Sequence, residues 1–238
     1  MRWLLAASMT LAGVANAETA DIESFLKDFA ARRDAIETFQ CRFTQITLTS
    51  SDAAESTGTL VFVKPRRILF LYDEPKLQYM VDNLTMYEYD PDLEQIRIDT
   101  LEDKPEADAL FLGFERDIAR LREAYDVSLA TKEESQAEGK VLKLIPKTVE
   151  GERPLFEKIL LYLRDTDYLP YRLQIRNTDN DVTYEFSDYV VNDSAAKPQS
   201  TIRVPAGTDV VRGDAPNERV GEGGKEFPDA APAPTAKP

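Results

Sequence analysis

This sequence contains no histidine and a single cysteine, Cys41. The missing histidine removes Ser-His-Asp and Cys-His nucleophilic catalysis, His-ligated zinc and imidazole pH switching together. One thiol forms no internal disulfide, and Cys41 alternates with Phe39 and Phe43 as a small buried hydrophobe does. Carboxylate chemistry stays open, with 43 Asp and Glu against 29 Lys and Arg. No pair stands out among so many acids, which read as solvated surface. An enzyme on this chain would have to work through carboxylates or tyrosines. What the sequence does concentrate is apolar and aromatic side chains. Residues 68–72 are Ile-Leu-Phe-Leu-Tyr, so in a strand Ile68, Phe70 and Tyr72 share one face while Leu69 and Leu71 share the other. Neither face is polar, so the strand either crosses a packed core or turns one face to a cavity for an apolar ligand.

The elements that would position these residues follow from periodicity. Residues 1–17 have one Arg, an apolar run from Trp3 to Ala15, and small residues before Glu18. They read as a signal peptide cut after Ala17, too short to anchor a span. Its removal moves the formal charge from 29 − 43 = −14 to 28 − 43 = −15. Such a balance disfavours nucleic acid and anionic membrane surfaces as partners. Residues 20–38 carry Ile22, Phe25, Leu26 and Phe29 at helical spacing, and residues 107–125 do the same with Leu110, Phe111, Phe114, Ile118 and Leu121 as two further helices. Elsewhere about ten short strands alternate with turn signals, among them Asp82-Asn83, and short loops impose antiparallel order. Residues 212–238 hold five of the 14 prolines and four of the ten glycines, with only Val220 and Phe227 as sizeable apolar residues, and read as a disordered tail. Residues 18–211 read as one domain. Three helices are too few to plate a ten-stranded sheet, so the sheet should curl and be closed in part by the helices. Whether the inside is filled, as in a packed sandwich, or vacant is left open by these residues.

At this point the chain resembles a known family. The segment GTLVFVKPRRILFLYDEP, followed by YMVDNLTMYEYDPDLEQIRI, is similar to the core of the periplasmic outer-membrane lipoprotein carriers, the LolA family. Phe43-Thr44-Gln45 after the first helix, Tyr89-Asp90-Pro91 and the segment VPAGTDV near the end of the domain extend the match over residues 20–211. The resemblance implies an α+β fold that is mainly β: a single curved antiparallel sheet forming an incomplete β-barrel, covered by about three helices as a lid. It implies a soluble, monomeric, non-catalytic periplasmic carrier without cofactor or metal. Such a carrier takes acylated lipoproteins from an inner-membrane ABC exporter to an outer-membrane acceptor. A lipid-sensing or regulatory module, or a carrier of another exported lipid, is the alternative on the same fold. Carried over to this sequence, the lipid-contacting positions are Phe62, Ile68, Phe70 and Tyr72 on the sheet, with Phe25, Phe29, Leu110, Phe111 and Phe114 on the lid. Plain core packing is the competing role for each. The family's basic residue before Pro is an Arg that bonds lid backbone; here it is Lys64, which lacks the planar fork.

Overall fold

The computed structural model describes residues 12–101, 111, 118–147, 156–193, 195–196, 198–213 and 217–228. A long helix α1 (Ala12–Asp34) leads into two long strands, β1 (Thr38–Thr49) and β2 (Ala53–Val63). Four shorter strands follow: β3 (Arg67–Tyr72), β4 (Gln78–Asp82), β5 (Thr85–Asp90) and β6 (Gln95–Thr100). Helix α2 (Ile118–Ala124) runs directly into β7 (Tyr125–Leu129), and a one-turn helix α3 (Lys132–Ser135) precedes β8 (Val141–Pro146). Then come β9 (Lys158–Leu163), β10 (Pro170–Arg176), β11 (Asn180–Val191), β12 (Ile202–Val204), β13 (Asp209–Arg212), β14 (Glu218–Arg219) and β15 (Lys225–Phe227).

Thirteen strands form one sheet in the order β14-β13-β6-β5-β4-β3-β2-β1-β11-β10-β9-β8-β7, while β12 and β15 pair as a separate ribbon. The edges β14 and β7 are not joined, so the curved sheet is an incomplete barrel, as expected. Neighbours within it are antiparallel except β13, which lies parallel to β6. At the expected hairpin Asp82 faces Thr85, leaving Asn83 and Leu84 as the turn, with Asn83 at φ 55°. The amide side chain of Asn tolerates that left-handed backbone.

Strand parity decides what each face touches. On the concave side Phe39, Cys41, Phe43, Leu60, Phe62, Ile68, Phe70 and Val81 form one buried cluster. Leu142, Leu144, Ile159, Leu161, Leu173 and Ile175 form a second with Phe25, Leu26 and Phe29 of α1. Tyr184 and Phe186 of β11, stacked with ring planes 5° apart, pack against both. One close approach lies between β1 and β2: Gly58 faces Phe43, and a Cβ on it would lie 2.5 Å from the Phe43 ring.

Two expectations are corrected here. The segment after residue 211 is not a disordered tail through its described part, since Val220 and Phe227 are buried with Val61, Leu69, Met80 and Ile96 on the convex face. Its composition is poor in apolar residues, but that face is apolar and needs a cover. Two well-placed anchors on a strand supply it, and Gly223 and Gly224, at φ 94° and 74°, make the turn that brings β15 back. The helices also divide differently from the expected lid. Helix α3 lies on the convex side, where the Ser135 carbonyl lies 3.2 Å from the Tyr162 hydroxyl. Its signal is the capping box between Thr131 and Glu134. The helix expected at 107–114 lies outside the described residues apart from Phe111, while the following one is α2.

Candidate functional site

The concave face leaves a cavity of about 330 Å³ at the end of the sheet where β3 meets β4. Phe70, Tyr72, Tyr79, Val81, Met86 and Tyr184 form its apolar wall, and Gln45 and Ser56 enter from β1 and β2. Register brings these distant residues together: Phe70 faces Tyr79, Met86 faces Val81, and Gln45 lies between Ser56 and Tyr184. Aromatic rings make up much of the wall. Phe43 meets Phe70, Tyr72 and Tyr184 with ring centroids 5.1–6.1 Å apart in edge-on arrangements, a geometry that favours positive ring edges over negative faces.

Tyr72 and Gln45 are hydrogen-bonded there. The Tyr72 hydroxyl donates to Gln45 Oε1 at 2.5 Å, and Gln45 Nε2 donates to Thr47 Oγ1 at 3.2 Å. Tyr184 also shares a hydrogen bond with Tyr72. Burial pushes the phenols of Tyr72 and Tyr184 upward, and burial followed by the Glu88 charge pushes Tyr79 up to about 12. Burial likewise raises the Cys41 thiol. These groups are neutral at physiological pH, and a thiol held protonated is no nucleophile. The residues lining the cavity carry no formal charge.

Of the expected lipid contacts, Phe70 and Tyr72 line this cavity. Phe62, Ile68 and Phe111 are buried in the same cluster but do not line the cavity, and Ile68 is fully inaccessible. Phe25 and Phe29 belong to the other concave cluster, under α1 and 6.0 Å apart. Leu110 and Phe114 lie outside the described residues. Gln45, Ser56, Pro75, Leu77, Tyr79, Val81, Met86 and Tyr184 were missed. Parity along β4, which places Tyr79 and Val81 on one face, was the signal available for two of them.

Helix α1 is held across this face mainly at its C-terminal end. Lys64 Nζ, from the turn between β2 and β3, donates to the Asp34 carbonyl at 2.9 Å and to Glu37 Oε1 at 2.8 Å. A cation at the last carbonyls of a helix also meets the negative end of its dipole. Asn192 Nδ2 donates to the Ala35 carbonyl at 2.7 Å, while Arg32 Nη1 reaches the Thr166 carbonyl at 2.9 Å. Arg33 is buried against the Phe29 ring and donates to the Tyr168 carbonyl; loss of solvent lowers its guanidinium to about 10. Nearer the N-terminus, the ion pair of Glu23 with Arg122 of α2 adds to the apolar contacts of Phe25 and Leu26.

Comparison with known proteins adds a sequence match over most of this architecture. The family described as "Outer membrane lipoprotein carrier protein LolA" matches residues 34–199, from the end of α1 to beyond β11. An outer-membrane lipoprotein carrier protein of Azotobacter vinelandii is 28% identical over 183 residues, covering 75% of this chain and 84% of the relative. One of Hahella chejuensis is 30% identical over 181 residues, covering 74% of this chain and 83% of the relative. Among solved structures, an uncharacterized conserved protein of Thermus thermophilus aligns over 80% of this chain and 99% of its own, at 14% identity and a TM-score of 0.47.

Proposed function

We propose, from the premise that this chain belongs to the outer membrane lipoprotein carrier family, LolA, that it is a non-catalytic, monomeric carrier of acylated lipoproteins through the periplasm. In this reading it receives cargo from an inner-membrane ABC exporter and yields it to an outer-membrane acceptor. The observation that carries the reading is an uncharged, aromatic-walled cavity on the concave face of the sheet. Each methylene withdrawn from water is worth roughly 0.8 kcal/mol, so acyl chains leave a bilayer only for a comparable apolar surface. At about 330 Å³ the cavity sits at the small end of single-ligand pockets, roughly 300–1,000 Å³. A multiply acylated anchor therefore needs α1 to move aside. Its removal would expose Leu142, Leu161 and Leu173 as further lipid-binding surface.

Export belongs to the same reading. Among the described residues no helix is long and apolar enough to cross a membrane. Cleavage after Ala17 would remove only the first residues of α1, leaving Phe25, Leu26 and Phe29 in place, and the intact mass of the periplasmic protein should correspond to a chain starting at Glu18.

The deciding experiment adds purified protein to spheroplasts carrying an energised exporter and looks for acylated lipoprotein in the soluble fraction. Release comparable to that by an established carrier is expected. Failure to release lipoprotein, with lipids still co-purifying by mass spectrometry, would transfer the reading to the lipid-sensing module or to a carrier of another lipid.

A further inference from the structure

A second concavity of about 330 Å³ lies on the convex face of β9–β11, opposite the apolar one and beside α3. Its chemistry is reversed. Lys158, Arg172, Gln174 and Tyr162 project into it from adjacent strands, and the residues around it are largely polar. We propose that this groove binds a phosphate group, borne either by free phosphate or by a lipid head group.

The argument is a count of donors and acceptors. The Tyr162 hydroxyl donates to Gln174 Oε1 at 2.6 Å, which consumes the amide oxygen and turns the Gln174 NH₂ outward as a donor. Arg172 Nη2 is held by Glu185 Oε1 at 2.8 Å. That contact fixes the planar fork, while Arg172 Nε is buried and finds no hydrogen-bond partner. Lys158 makes no hydrogen bond or ion pair among the described residues, although its charge is felt by Glu134. The two acids at the rim are already committed. Glu134 accepts from Lys143 at 2.7 Å and from the Thr131 amide, and Asp181 accepts from Arg176 at 3.2 Å. What is left unsatisfied is a set of N–H donors on two neighbouring strands and one unpaired cation.

The register sets their reach. Lys158 faces Arg176 and Leu160 faces Gln174, so Lys158 and Gln174 are diagonal neighbours about 7–8 Å apart at the backbone, within range of long side chains. Arg172 lies two residues from Gln174 on the same face. Lys158 and the Gln174 NH₂, with Arg172 beyond them on the same face, offer donors suited to an oxyanion with several acceptor oxygens. On a chain of formal charge −14, such a cluster is a local exception to the surrounding field.

The test is a titration of the ¹⁵N-labelled protein with inorganic phosphate at constant ionic strength, followed by NMR. Saturable shifts confined to β9, β10 and α3 are expected, with Lys158→Gln and Gln174→Leu each weakening binding at least fivefold and Phe70 and Tyr72 signals unmoved. In Gln174→Leu the Tyr162 hydroxyl can turn its proton to the Ser135 carbonyl 3.2 Å away; Lys158→Gln has no partner to lose and serves if the first variant misfolds. A water-soluble short-chain phosphatidic acid forms the second arm. Tighter binding than phosphate at the same residues assigns a lipid head group, and equal binding assigns free phosphate. Equal shifts with acetate, shifts spread over all surface Lys and Arg, insensitivity to both substitutions, or tighter binding of a Glu-rich peptide at the same residues would each overturn the assignment.

Discussion

Asp73 closes the cavity end of β3 through charge-assisted contacts to two other strands. Arg42 of β1 bonds its carboxylate, with Nη1 to Oδ1 at 3.2 Å, and Thr57 of β2 donates to Oδ2 at 2.7 Å. Those bonds hold the acid down to about 2, against 3.8 in the unfolded chain. A depressed carboxylate stabilises the fold above the unfolded value and loses that contribution as pH falls from about 3.8 toward 2. Both partners are substantially exposed, so Asp73→Asn should cost under ~1 kcal/mol at pH 7. Thermal melts should show a lower Tm for the variant at neutral pH and convergence with the parent near pH 2. Lys64 carries a different consequence. Lys64→Met removes the bond to the Asp34 carbonyl, a loss of ~1 kcal/mol or about fivefold in an opening equilibrium. Amide exchange at the C-terminal end of α1 and release of a fluorescent fatty acid should both quicken, while Lys64→Arg should slow release. Release at the parental rate from both variants would show that Lys64 does not hold the helix.

At the scale of elements, the β1–β2 pair lies within the sheet between β3 and β11, and its packing is closest at Gly58. The ring of Phe43 lies over that glycine, and the Leu71 carbonyl would sit 2.3 Å from an added Cβ. Gly58→Ala therefore overpacks the wall at a cost of ~1–3 kcal/mol. The urea midpoint should fall, and because Phe43 touches Phe70, Tyr72 and Tyr184, affinity for a fatty-acid probe should fall with it. A variant with parental midpoint and affinity would mean that the strands relax around the methyl group. Helix α1 offers a different design: its deep contacts are apolar side chains, and most of its polar ties lie at its C-terminal end. That arrangement suits a cover that swings about its C-terminal end instead of melting.

For the whole molecule, the sheet is apolar on both sides and is finished by segments remote in sequence. Phe227 is 1% exposed and packs beneath β3–β6 with its ring 5.9 Å from that of Tyr87. Phe227→Ala should cost ~3–5 kcal/mol, as for other buried aromatic truncations. A large drop in urea midpoint with increased dye binding to exposed apolar surface is the expected result. An unchanged midpoint would return residues 217–228 to the status of a dispensable tail.

Composition and periodicity by themselves determined that this chain lacks histidine chemistry and contains strands greasy on both faces with too few helices to cover them. They also determined the amphipathic first helix and the Asp82-Asn83 turn, because these depend on side-chain types at fixed local spacing. Parity placed Ile68 and Phe70 together on one face. Only the tertiary structure decided that Ile68 is sealed while Phe70 borders a cavity, since that difference is set by what β4, β11 and the covering segments put opposite each. It alone supplied Tyr184 and Met86, which arrive through strand register, Tyr184 from more than a hundred residues away. It also turned a Pro- and Gly-rich terminus into the cover of the convex face. Local propensity could not reveal this, because the binding free energy of such a segment lies in the apolar surface waiting to receive it.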